Sequence, residues 1–438
     1  MPAALSNSSV CYAIKPNQSA ACIASAVPDP NTLVPTSHGN FAGTYPPIYY
    51  AAMSVFASTD ITASVLVMRI VNAVLFVLIT TALFYLLPPQ RRFTLVWMWS
   101  ITIVPLGMFL LASNNPSAWA ILSGGSLWLA LVGYFESHGR RKALLGALAA
   151  LTAVMGAGAR ADAAVYAGIA IVLAIILTFQ RTRRYLISAI LPVLLAVMAL
   201  VLYQLAGQSG VSSNGFGDNV HVTASSNLML LAGNLLDLPS LWVGSLGTWA
   251  LGWLDTQMPA TVWAGTILVF GAVILATLVA MNRRKLWAMI VTLVALTGIP
   301  MWVLYQSHAA VGTQVQPRYL LPLLIMFAGI ALLQVANGRH IRFTRVQALA
   351  VGAILTLANA VALFTNLRRY IAGMIPAKST IDPGQQWWWH TPVPPTAVWA
   401  IGSVAFALAV VIALVEFSDR MPRLQPDADQ TVGIPITR

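Results

Sequence analysis

Apolar runs long enough to form spanning helices, separated by short polar breaks, recur along almost the whole chain. They lie near 62–87, 93–112, 116–135, 143–159, 163–180, 185–205, 260–281, 286–305, 318–336, 346–366 and 396–416. Each approaches the roughly 20 residues that an α-helix needs to cross the hydrocarbon core of a bilayer. Two further apolar pieces are too short or too interrupted for that. One follows Tyr45-Pro46-Pro47-Ile48-Tyr49-Tyr50 and ends near Ala57; the other runs from Leu241 to Leu254 and is broken by Gly244, Gly247 and Gly252. Both read as interfacial or re-entrant helices. The pattern predicts an all-α, polytopic integral membrane protein with about 11 transmembrane helices.

Composition agrees with this class. Of the 438 residues, 58% are hydrophobic and 8% charged, a balance that excludes a water-soluble globular domain. The net charge of +12 would point to nucleic acid if it coated a wetted surface, but its distribution gives it another meaning. Of the 24 Lys and Arg, 17 fall at 91–92, 140–142, 181–184, 283–285, 339–345 and 420–438, and five of the 12 acids, Glu136, Glu416, Asp419, Asp427 and Asp429, lie on the same side. These positions are alternate loops and the tail, and their excess accounts for the whole net charge. The other side holds seven basic and seven acidic residues. Because Lys and Arg accumulate in cytoplasmic loops, the charge is a topology signal and implies no nucleic-acid partner.

The topology assigns 1–61 to an extracytoplasmic N-terminal loop with an interfacial helix and 62–416 to the transmembrane domain. External loops fall at 206–259 and 367–395, and 417–438 is a cytoplasmic tail. Cys11 and Cys22, the two cysteines, both lie in the N-terminal loop. Outside the cytoplasm they would form a disulfide; otherwise they are two free thiols. An external N-terminal segment of about 60 residues is long for translocation by the first span alone, so the expectation is one more helix upstream of Met1.

Several motifs in this order resemble the bacterial membrane-protein family known as domain of unknown function 2142. They are the Cys-containing loop ending in Tyr45-Pro46-Pro47-Ile48-Tyr49-Tyr50, Arg69 in the first span, Asn114-Asn115-Pro116-Ser117 opening the third, and Pro317-Arg318-Tyr319-Leu320-Leu321-Pro322. That family is similar in layout to the polyprenyl-phosphate-sugar-dependent glycosyltransferases of the GT-C type. The resemblance implies the bacterial cytoplasmic membrane, an extracytoplasmic active face, membrane lipids and a polyprenyl-phosphate sugar donor as partners, and a cell-envelope glycan or lipid as acceptor. In those enzymes a carboxylate in the first external loop is the base. This sequence departs from the pattern, because Asp29 is the one acid in 1–46 and the expected acidic pair would lie upstream of Met1. The rival readings are a lipid-linked-sugar transporter or flippase and a membrane scaffold subunit without catalysis.

Transfer from a lipid phosphate needs a cation or metal for the leaving phosphate, a carboxylate for the acceptor hydroxyl, and a lipid groove. Arg318, at the mouth of an apolar run, suits the phosphate or snorkels to water. Arg160 and Asp162, two residues apart at an external turn, are either a structural ion pair or a phosphate ligand with its orienting carboxylate. Arg69 lies inside the first span and calls for a partner. The catalytic candidates are Asp162 and Asp29, with Asp218, Asp237 and Asp255 as other external carboxylates. Tyr319, Asn115 and Trp388 are the substrate-binding candidates. Asn115 is equally a helix cap, and Trp388, in Trp387-Trp388-Trp389-His390, is equally an interfacial anchor. No metal-ligand spacing is evident, although a divalent metal is compatible with the chemistry, and no cofactor is otherwise indicated. Walker, GxGxxG, HExxH and nucleophile-elbow motifs are missing, which disfavours nucleotide-driven mechanisms.

Overall fold

The computed structural model describes residues 2–36 apart from 8, 28 and 30, residue 40, and residues 43–210, 227–334, 341–374, 381–382 and 393–418. Among these no strand forms. The helices that shape the bundle are α1 (Pro47–Ser54), α2 (Ile61–Leu86), α3 (Pro89–Thr102), α4 (Leu106–Leu111), α5 (Ser117–Glu136), α6 (Gly139–Ala157), α7 (Ala161–Thr178), α8 (Arg183–Ser188) and α9 (Ile190–Leu205). They continue with α10 (Asn227–Asp237), α11 (Pro239–Val243), α12 (Ala260–Thr277), α13 (Arg283–Gln306), α14 (Pro317–Ala331), α15 (Arg345–Ile371) and α16 (Pro395–Glu416). Their starts carry the expected signals. Asp60 caps α2 by accepting from the Ala63 amide at 3.0 Å, and Thr344 with Gln347 forms a capping box at α15. Proline occupies the first position of α3, α14 and α16, where its missing N–H costs nothing.

Among the described residues, 9 helical stretches are long and apolar enough to cross a membrane. All but one coincide with the expected runs, with α8 and α9 making up a single stretch. The exception is Asn227–Thr248, in which α10 and α11 continue into a wider helical turn, Gly244–Thr248, interrupted at Gly247, whose φ is 107°. Its contacts tie both ends to one face. Asn234 Nδ2 donates to Ala309 O at 2.9 Å and Ser245 Oγ to Pro317 O at 3.2 Å, whereas between them Trp242 Nε1 reaches Leu296 O, midway along α13, at 3.2 Å. The segment therefore dips into the bundle and returns, and its helix begins well before the Leu241 that the sequence pattern marks.

Three expected spans take other forms. The run 93–112 is divided into α3 and α4 around Pro105, which has no amide proton to continue a helix. The run 143–159 lies in α6, whose first turn carries Arg140, Arg141 and Lys142. The run 318–336 becomes α14, only 15 residues long and thus about 22 Å; it is buried along nearly its whole length by α3, α5, α7 and α13. Close approach here depends on small residues. A Cβ on Gly124 of α5 would lie 2.7 Å from Pro322 Cβ, and one on Gly125 would lie 2.2 Å from Trp99 Cζ2, so α5 meets α14 and α3 nearly backbone to side chain.

The helix ends gather on two opposite faces. On one, Arg91 donates to Glu136 through Nη2 (2.6 Å) and Nε (3.1 Å) and to Gln334 O through Nη1 (2.7 Å), and Arg284 Nη2 reaches Phe179 O at 2.7 Å. This basic face collects the loops expected to be positively charged. The other carries the N-terminal loop, closed by a Cys11–Cys22 disulfide, and is the disulfide face below. The Gly43 carbonyl accepts there from Gly207 at 2.9 Å, and that of Gly158 from Tyr49 at 3.1 Å. The tail beyond 418 lies outside the described residues.

Candidate functional site

A cavity of about 200 Å³ opens on the disulfide face. Its polar end is formed by Tyr45, Arg160, Asp162, Gln208 and Tyr319, and its apolar wall includes Ile299, Pro300 and Val303 of α13. Local structure sets this polar end. Arg160 is the N-cap of α7 and Asp162 sits in the first turn, where a carboxylate complements the helix dipole. Arg160 grips Asp162 through Nε (2.8 Å) and Nη2 (2.9 Å), and Asp162 Oδ1 also accepts from the Ala163 amide at 2.9 Å. Burial opposes the charge on Arg160, but Asp162 outweighs it, and the guanidinium pKa is raised. It holds its charge permanently.

Tyr319 contacts two cations. The Arg160 guanidinium carbon lies 4.8 Å from its ring centroid and that of Arg318 lies 5.1 Å away, both within cation–π range. Arg318 Nη2 also donates to the Tyr319 hydroxyl at 3.2 Å, while its Nε is buried with no hydrogen-bond partner. Among the described residues Arg318 has no carboxylate partner. It does not line the main cavity but a smaller one of about 40 Å³ beside Phe109, Gly244 and Trp249. Tyr45 is fixed by Asn40, which accepts from its amide at 2.7 Å and donates to its carbonyl at 2.8 Å.

The other sequence candidates lie elsewhere. Arg69 is exposed on α2 and donates from Nε to Ala112 O at 2.9 Å. Asn115 Oδ1 accepts from the Ser117 amide at 2.9 Å, one residue before Pro116, the N-cap of α5. Its neighbours knit α1, α2 and α5 together. The Tyr49 hydroxyl donates to Asn114 Oδ1 at 3.0 Å, and Asn72 accepts from Trp119 Nε1 at 3.0 Å while donating to Ser113 O at 2.9 Å. Burial pushes the Tyr49 phenol up to about 12, so it remains a protonated donor. Asp29 is exposed in the N-terminal loop and accepts from Thr32; it does not line the cavity. Asp237 is exposed at the end of α10. Trp388 and Asp218 lie outside the described residues. Among the described residues no three His, Cys, Asp or Glu side chains gather as metal ligands.

One arrangement went unanticipated. Asp255 and Arg369, 114 residues apart, form a 2.6 Å ion pair with side chains 3% and 0% exposed. Arg369 also donates to Gln18 O at 2.7 Å and Tyr12 O at 2.8 Å, both inside the Cys11–Cys22 loop. Ser19 Oγ donates to Ile371 O at 2.7 Å, and the Met374 amide to Pro16 O at 2.9 Å. Asp255 is therefore sealed beneath the disulfide loop and does not line the cavity. The sequence signal was the pair Arg368-Arg369 closing an apolar helix on a face where acids and bases are equal in number, which requires each to find a partner there.

The two sets of contacts divide the disulfide face into an open charged cavity and a closed clasp. No curated protein and no solved structure matches the chain. The family described as a predicted membrane protein, DUF2142, matches residues 2–327, a stretch that includes the cavity's Tyr45, Arg160, Asp162 and Tyr319 and the Cys11–Cys22 loop. With that match over most of its length and a helical bundle built to cross a bilayer, the chain belongs to the DUF2142 family of membrane proteins.

Proposed function

We propose that this protein is a glycosyltransferase of the bacterial cytoplasmic membrane that moves a sugar from a polyprenyl-phosphate donor to a cell-envelope glycan or lipid. The disulfide face would lie outside the cytoplasm, since the basic face follows the positive-inside pattern. One observation carries the reading: a single cavity joins a fixed cation, Arg160, to an apolar wall on α13. That combination suits an amphiphile with an anionic head and a hydrocarbon tail. Arg160 would hold the phosphate, with Tyr319 as a stacking surface and Arg318 as a second cation in contact with the ring. Asp162 is the carboxylate nearest the chemistry, and release from Arg160 as phosphate binds would free it to accept the acceptor's proton.

A second reading has its own support. Two interrupted helical segments meet inside the bundle, where Pro105, between α3 and α4, packs on Gly247 of the re-entrant segment; an added Cβ there would lie 3.2 Å from Pro105 Cγ. Paired broken helices are a hallmark of transporters, and an Asp162 occupied by Arg160 suits binding without chemistry. Transfer assays on membranes supplied with radiolabelled polyprenyl-phosphate sugars separate the two. The enzyme reading expects transfer that Arg160→Gln lowers about 100-fold. Lipid-sugar binding without transfer, for folded protein and varied donors, would move the assignment to the transporter.

A further inference from the structure

At the opposite end of the bundle, a cavity of about 400 Å³ lies among the helix ends of the basic face. Arg91, Glu136, Arg284 and Lys285 line it. Among the described residues Glu136 is the sole carboxylate of the lining and is held by two donors of Arg91, so Arg284 and Lys285 leave that lining a net charge of +2.

Lys285 is the telling residue. Its side chain is completely buried, yet among the described residues Nζ has one partner, the Ala280 carbonyl at 2.8 Å. An ammonium offers three donors, and burying one without a counter-ion is costly. Its position sharpens the conflict. Arg283, Arg284 and Lys285 form the first turn of α13, which contains no acid, so three cations stand at the positive end of a helix dipole. A bound anion would resolve the cavity's excess charge, the spare Lys285 donors and the dipole together. Phe135, Leu177 and Leu333 provide apolar walls beside the cations, and Gln180 and Asn282 provide neutral polar groups.

We infer that this basic-face cavity is a binding site for a phosphate ester, held by Lys285 and Arg284 at the start of α13. An anionic phospholipid headgroup or a soluble phosphate would satisfy the same chemistry. The test uses the full chain purified in neutral detergent and titrated with phosphatidylglycerol, phosphatidylcholine or inorganic phosphate, with binding read by native mass spectrometry and by thermal unfolding. Phosphatidylglycerol should bind and stabilise the protein, and phosphatidylcholine should not. Displacement by millimolar inorganic phosphate would identify a soluble phosphate as the occupant; failure to displace would identify the lipid. Lys285→Met, which keeps the volume and removes the charge, should weaken binding about 10-fold, roughly 1.4 kcal/mol, while leaving the anion-free protein at least as stable. Arg284→Gln, on an exposed side chain, should weaken it to a lesser degree and serves if Lys285→Met does not fold. Equal binding of both lipids, or undiminished phosphatidylglycerol binding by Lys285→Met and Arg284→Gln, would overturn the inference.

Discussion

Arg369–Asp255 and Arg160–Asp162 share one face and one chemistry, but they differ in what surrounds them. The first pair is 0% and 3% exposed and is roofed by carbonyls of the disulfide loop. The second is 9% and 26% exposed and opens on a cavity with an apolar wall. The sealed pair lines none of the cavities described above and is already bonded to the disulfide loop, so it holds structure together. An open one can exchange its partner for a ligand's charge at modest cost. Burial, more than residue type, assigns one pair to the clasp and the other to the site.

The sharpest way to break the comparison is to remove one carboxylate from each pair. Asp255→Ala leaves Arg369 charged and buried, and should cost about 3–5 kcal/mol, read as a large fall in the thermal unfolding midpoint of detergent-solubilised protein. Asp162→Ala should cost less, because Arg160 keeps 9% of its side chain exposed at the wall of an open cavity. Equal losses would erase the distinction. Opening the clasp covalently comes next. Cys11→Ser with Cys22→Ser should cost about 2–4 kcal/mol and make the N-terminal loop sensitive to limited proteolysis, with donor affinity little changed.

On the open side, Arg160→Gln should lower transfer about 100-fold, roughly 2.7 kcal/mol at the barrier, while unfolding shifts little. Arg318→Ala should act more weakly, since Arg318 does not line the main cavity. The smallest effect is expected of Tyr319→Leu. Losing the ring that contacts both guanidinium groups should cost about 1 kcal/mol of stability and reduce donor affinity, measured by competition with a polyprenyl phosphate.

Much of this architecture was legible in the sequence for identifiable reasons. Spans and faces follow from apolar length and from basic residues in short loops, both local properties. Arg160–Asp162 was visible because its partners are two residues apart. Asp255 and Arg369 are joined only by tertiary packing, and no spacing rule connects positions so distant. The start of the re-entrant helix was obscured because Asn227–Asp237 mixes Asn, Gly and Asp with its leucines. The division at Pro105 was missed because one proline in an apolar run does not announce which turn will yield. Arg318 was placed at the site from its motif, and only the structure shows that it contacts Tyr319 while lining a different cavity from Arg160.

The clasp also bears on how the protein is made. Its hydrogen bonds join the disulfide loop to the end of α15, Ser19 to Ile371 across 352 positions. A ribosome delivers these partners at widely separated times, so the disulfide loop must wait while most of the helices are inserted. Completion of the bundle then becomes a single late event, like fastening a ring. A chain that stops before α15 would leave that loop with nothing to hold, marking it as unfinished to quality-control proteases.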